Sequence, residues 1–166
     1  MVTLEQLDQI EAFQDLDDNQ LSALLPLCEK IDFRRGEKLF KEGDPAQHLW
    51  VVMNGKVDLR FELPGDRPTS ADNTISTHDA DDEARKKILG WSCFVPPHKM
   101  RLSAYCTTRS CQTIRIAKKN LIELFEKDPL MGYHVLTYLI KVVGYRFHQF
   151  QEELAREKGQ AVLHSW

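Results

Sequence analysis

The residues of this chain that are able to do chemistry are scattered. Four cysteines, Cys28, Cys93, Cys106 and Cys111, are present. None forms a C-x-x-C pair, and no histidine sits at a zinc-like interval from two of them. Free thiols in or near the core are therefore expected, rather than a metal or redox centre. Asp79, Asp81, Asp82 and Glu83 make an acidic run. It lacks the glycine and the bidentate glutamate that a calcium loop needs at fixed spacing. No nucleophile–base pair, paired carboxylates or glycine-rich phosphate loop stands out, so an enzyme is not expected. The remaining chemistry is recognition, and the elements must show where it is placed.

Length and composition bound the answer. The chain has 166 residues, 42% hydrophobic and 28% charged, with a formal net charge of −3. That suits one globular domain with a real core. The slight negative charge gives no reason to expect nucleic acid as a partner. No apolar run approaches the roughly 18 residues of a membrane span, so no membrane partner is expected. The first residues, MVTLEQLDQIEAF, lack a signal-peptide layout, and the expected location is cytoplasmic.

Residues 4–30 carry apolar positions at three- and four-residue steps, among them Leu7, Ile10, Leu21, Leu24 and Cys28. Asp17-Asp18-Asn19 interrupts them, with Asp17 or Asp18 as a cap, so two short helices are predicted. From Ile31 the apolar runs shorten and glycines punctuate them. Asn54-Gly55 predicts a hairpin, because both turn positions need positive φ. Val57, Leu59 and Phe61 then alternate with charged residues as in a half-buried strand. Strands this short and this frequent argue for a sandwich or barrel. Residues 64–87 are polar and predicted to be a mobile loop, with one strand possible at 73–77. Strand composition returns over 88–116. A short amphipathic helix at 118–126 ends before Asp128-Pro129, and a long helix over 130–158 follows. Gly159 is expected to stop it, leaving 159–166 as a tail.

The strings FRRGEKLFKEGDPAQHLWVVMNGKVDLRFEL and ILGWSCFVPPHKMRLSAYCTTRSCQTIRI resemble the cyclic-nucleotide-binding domain. That family includes the catabolite activator protein, the regulatory subunit of protein kinase A and the cytoplasmic modules of gated channels. Gly36, Gly43 and Gly55 match its turn glycines. The resemblance spans almost the whole chain. It implies an α+β fold: an antiparallel double-stranded β-helix, or jelly-roll-like β-roll, flanked by N-terminal helices and a long C-terminal helix. The domain would be residues 1–158, including a dimerisation helix.

In that family the phosphate-binding cassette opens with Gly-Glu, forms a short helix, and supplies an arginine about eleven residues after the glycine. The glutamate reads the ribose hydroxyl, and the helix N–H groups and the arginine hold the cyclic phosphate. The resemblance implies ligand contacts at Gly90, Trp91, Ser92, Cys93, Arg101, Leu102 and Ser103. Gly90 matches, and Arg101 lies eleven residues beyond it, although a shorter register would place Met100 there. Trp91 stands where the glutamate should be. Cyclic AMP or cyclic GMP is thus a possible ligand, as is another nucleotide-like or phosphate-bearing molecule. A ligand-free interaction module, with a protein partner not identified by sequence, is the other reading. The family also takes a base-capping contact from the long helix, with His134, Thr137, Tyr138 and Lys141 as candidates here.

Tyr133, Leu136, Ile140, Val143, Phe147, Phe150 and Leu154 recur at alternating steps of 3 and 4, an a/d seam. Val135, Leu139 and Val142 form a second stripe. Two stripes need two partners, so one is expected against the roll and the other in a homodimer. The activators carry a winged helix-turn-helix after this helix. Residues 159–166 are too short for one, and direct transcription control is not expected.

Overall fold

The structure, a computed structural model, describes residues 2–60, 62 and 87–163. The predicted loop at 64–87, apart from Lys87, lies outside the described residues. Helix α1 (Leu4–Asp8) is capped by Thr3, and α2 (Asp18–Leu24) by Asp17. Each cap is reciprocal, with Gln6 or Gln20 returning a bond to the cap backbone. Helical turns at Glu11–Phe13 and Leu25–Leu27 complete the N-terminal layer. The predicted second helix ends early, because Cys28 already begins a strand. Strand β1 (Cys28–Arg34) pairs with β7 along its full 7 residues, and that ladder outweighs the helix-like apolar spacing.

The strands that follow are β2 (Lys38–Phe40), β3 (His48–Asn54), β4 (Val57–Arg60), β5 (Ile88–Leu89), β6 (Ser103–Cys106) and β7 (Ser110–Ala117). They form two sheets, ordered β1-β7-β3-β5 and β2-β6-β4, with antiparallel pairing throughout. Asn54-Gly55 does not close a hairpin. β3 and β4 belong to different sheets, and the turn carries the chain around the corner between them. Gly55 has φ 86°, and a Cβ there would lie 2.5 Å from the Ser110 carbonyl oxygen. The turn chemistry fixes the local backbone but not the sheet that the next strand joins.

Strand alternation divides the core in two. Leu49, Val51, Ile114 and Ile116 face the helical layer, where Phe13, Leu121, Met131 and Val135 meet them. Trp50, Val52, Cys106 and Cys111 face the roll interior with Leu39, Met100 and Ala104. β3 is therefore buried on both faces. Among the described residues, no helix is long and apolar enough to cross a membrane.

Helix α3 (Lys118–Lys127) hands over to α4 (Pro129–Leu163) at Asp128. The Asp128 carboxylate accepts from the Met131 backbone at 3.1 Å and from Gln20 Nε2 at 2.7 Å, tying the start of α4 to α2. Gly159 does not stop α4, which continues to Leu163. An interior glycine costs only about 1 kcal/mol against alanine, which a helix of 35 residues tolerates.

Candidate functional site

Strand β5 ends at Gly90, which has φ 78°. A Cβ at this position would sit 2.5 Å from the His48 carbonyl oxygen and 2.9 Å from Trp50 Cδ1, so both the conformation and the space require glycine. The chain then makes one 3-10 turn, Trp91–Phe94. Opposite it runs α4, and between them lies a cavity of about 220 Å³. Phe40, Val57, Leu59, Leu89, Met100 and Leu102 give it apolar walls. Gly90, Trp91, Ser92 and Arg101 line the cassette side, and Tyr145, Arg146 and Gln149 the α4 side.

The structure thus gathers Gly90, Trp91, Ser92, Arg101 and Leu102 around one space. Cys93 and Ser103 do not line it. Cys93 is fully buried in the roll core, and burial pushes its thiol up to about 12. Cys28 is likewise pushed up to about 12 by burial, and Cys106 to about 11, chiefly by desolvation. All four cysteines are free. The Ser103 hydroxyl is buried and engaged elsewhere: it donates to Glu62 Oε1 at 2.7 Å and accepts from the Glu42 N–H at 2.8 Å. Glu62 Oε1 also accepts from Lys38 Nζ at 2.8 Å and from the Tyr105 hydroxyl at 2.6 Å. These donors hold its carboxyl down at about 2. The small hydroxylated residue after the arginine therefore anchors a polar cluster beside the cavity.

Of the two possible registers, Met100 is buried in the roll core, with its N–H bonded to the Asp44 carbonyl at 2.9 Å. Arg101 is exposed at the rim of the cavity, and its guanidinium has no partner among the described residues.

The α4 residues offered by the family resemblance stand earlier on the helix than the stretch that meets the cavity. His134, Thr137, Tyr138 and Lys141 do not line the cavity. The Tyr138 hydroxyl donates to Glu11 Oε2 at 3.0 Å, and His134 Nδ1 is 3.9 Å from Asp15 Oδ2. Both side chains therefore reach the N-terminal layer. The helix face that meets the cavity carries Tyr145, Arg146 and Gln149 instead. Arg146 Nη2 donates to the Ile88 carbonyl at 2.8 Å, linking α4 to the strand that delivers Gly90. No carboxylate pairs with Arg146 among the described residues, and desolvation lowers its guanidinium to about 10. Gln149 Nε2 donates to the Tyr145 hydroxyl, while its Oε1 is buried with no partner among the described residues. No three His, Cys, Asp or Glu side chains among the described residues come together to hold a metal.

Two antiparallel sheets closed into a roll, with a glycine-dependent turn facing a long helix across a cavity, define the β-roll class. The chain belongs to the cyclic nucleotide-binding domain family, whose pattern residues 30–128 match. Over 55 residues it is 33% identical to the CRP-like cAMP-activated global transcriptional regulator of Mycobacterium tuberculosis, covering 33% of this chain and 25% of that protein. Over 67 residues it is 30% identical to the cAMP-dependent protein kinase regulatory subunit of Dictyostelium discoideum, covering 40% of this chain and 20% of that one. The matched part is thus a quarter or less of each curated relative. A cyclic nucleotide-binding domain from Methylobacillus flagellatus KT has the same fold. It shows a TM-score of 0.70 at 21% identity, over 92% of this chain and 81% of that one. The sensor domain of the transcriptional regulator DNR from Pseudomonas aeruginosa also has it. That TM-score is 0.64 at 16% identity, over 87% and 90% of the two chains.

Proposed function

We propose that the chain is a sensory module that binds a small phosphate-bearing effector, cyclic AMP and cyclic GMP included, and signals through α4. The observation that carries this reading is the cavity itself. The cassette residues Gly90, Trp91, Ser92 and Arg101 form one wall, and the helix that would transmit the signal forms the other. Arg101 supplies a charge with no partner among the described residues, as a phosphate contact needs. Membership of the family, and the cAMP named for both curated relatives, support a nucleotide-like ligand.

A second reading, a ligand-free interaction module, is favoured by a different observation. Trp91 puts an indole where a carboxylate would read the ribose, and an indole cannot accept that hydrogen bond. The experiment that separates the readings is calorimetry with cyclic AMP and cyclic GMP on the wild type, Arg101→Ala and Trp91→Glu. Binding should weaken at least about tenfold in Arg101→Ala, the loss of a charge-assisted hydrogen bond. Trp91→Glu should strengthen it. Absence of binding in all three proteins would favour the interaction module, and tight binding indifferent to Arg101→Ala would place the site elsewhere.

A further inference from the structure

Three features of the cavity go beyond the presence of a site. Its walls are mostly apolar: Phe40, Val57, Leu59, Leu89, Met100 and Leu102. Among the described residues, the charged ones that line it are Arg101 and Arg146, and none is a carboxylate. Finally, the polar groups on α4 are under-used. Arg146 spends one of its donors on the Ile88 carbonyl at 2.8 Å and meets no anion among the described residues. One polar atom of the Gln149 amide is buried without a partner among the described residues.

We infer that the cavity takes a small organic anion with an apolar, largely hydroxyl-free body and one acidic head, and that Arg146 on α4 holds the head. This rests on reading the cavity as an effector site and names the ligand class. A guanidinium against low-dielectric walls attracts an anion more strongly than one in open water, and its planar fork matches a carboxylate or phosphate. Arg101 is exposed at the rim and Arg146 is half-buried, so the inner head belongs to Arg146 and Arg101 steers at the mouth. The body lies against carbon on most sides and gains from apolar burial. A sugar finds no carboxylate among the described lining residues to accept its hydroxyls, and burying them unpaired is unfavourable.

Calorimetry with naphthalene-2-carboxylate and its neutral isostere 2-naphthamide tests the class without any variant. The acid should bind one per chain and at least about tenfold more tightly than the amide. Arg146→Met should remove that preference and leave the amide unchanged, and Arg146→Lys, which keeps the charge without the fork, should retain part of it. Thermal melts establish that each variant folds. Should Arg146→Met unfold, the acid-to-amide ratio in the wild type and its fall in Arg146→Lys decide. Equal binding of acid and amide would overturn the inference. So would tight cyclic AMP binding that falls in Arg101→Ala, ignores Arg146→Met and is not displaced by the acid; that result would leave the proposed function standing. No binding by acid or nucleotide would overturn both.

Discussion

Glu62 concentrates three donors on one carboxylate oxygen: Lys38 at 2.8 Å, Ser103 at 2.7 Å and Tyr105 at 2.6 Å. Its N–H meanwhile donates to Glu42 Oε2 at 2.7 Å, so the residue joins β2, β6 and the turn before Asp44. The side chain is only partly covered, and solvent screens these contacts. The hydrogen bonds lower its pKa from an ordinary 4.5 to about 2. A carboxylate lowered on folding contributes stability that is fully present above 4.5 and fades as pH falls toward about 2. Glu62→Gln should therefore cost about 1–2 kcal/mol at pH 7. Melts of the two proteins across the acid range should show the gap in Tm narrowing below pH 4.5. A gap that stays constant down to about pH 2 would mean that the charge of Glu62 contributes nothing.

At the scale of the element, α4 sorts its two apolar stripes cleanly. Met131, Val135, Leu139 and Val142 are buried against the core, whereas Tyr133, Ile140 and Phe147 are 65%, 71% and 57% exposed. Val143 is half-buried, so the seam is best tested at its open positions. If two copies pair along this seam, Ile140→Glu with Phe147→Glu should sediment as a folded monomer with an unchanged circular-dichroism spectrum. A wild type that sediments as a monomer at high concentration would refute the pairing. Both stripes were legible in the sequence, because the helical period alone assigns residues to faces. The site was legible in part. Gly90 and Arg101 are bound by a short local spacing, but Arg146 lies far along the chain in a helix whose period repeats every turn. Nothing local tells which turn of α4 crosses the cavity, and that is why His134 to Lys141 stood in for Tyr145 to Gln149. The same blindness to distant partners made Asn54-Gly55 read as a hairpin and Cys28 as helix. Turn preference and apolar spacing are local properties, whereas the strand partner that decides each case lies more than 40 residues away.

For the whole molecule, α4 is the element that the cavity and the exposed seam share. Arg146 and Gln149 line the cavity, and Phe147 and Phe150, interleaved with them, are exposed on the seam. A ligand that draws Arg146 inward acts on the same turn that a second copy would pack against. Arg146 already holds the strand before the cassette through the Ile88 carbonyl at 2.8 Å, so the cassette and the middle of α4 are mechanically joined. Two sites on one rigid element are coupled if binding at one changes the free energy of the other, and the coupling must be reciprocal. Whichever of cyclic AMP and naphthalene-2-carboxylate binds should therefore change the dimer dissociation constant. With one ligand per chain, the affinity of the Ile140→Glu/Phe147→Glu monomer should differ from that of the dimer by the square root of that factor, roughly 5- to 150-fold per site for couplings of ordinary size. Sedimentation with and without ligand gives one factor, and calorimetry on the monomeric variant gives the other. A dimerisation factor equal to the square of the affinity factor, with both different from one, would establish that the module reports occupancy through its helix. Identical affinities in monomer and dimer would mean that the seam and the cavity merely sit on the same helix.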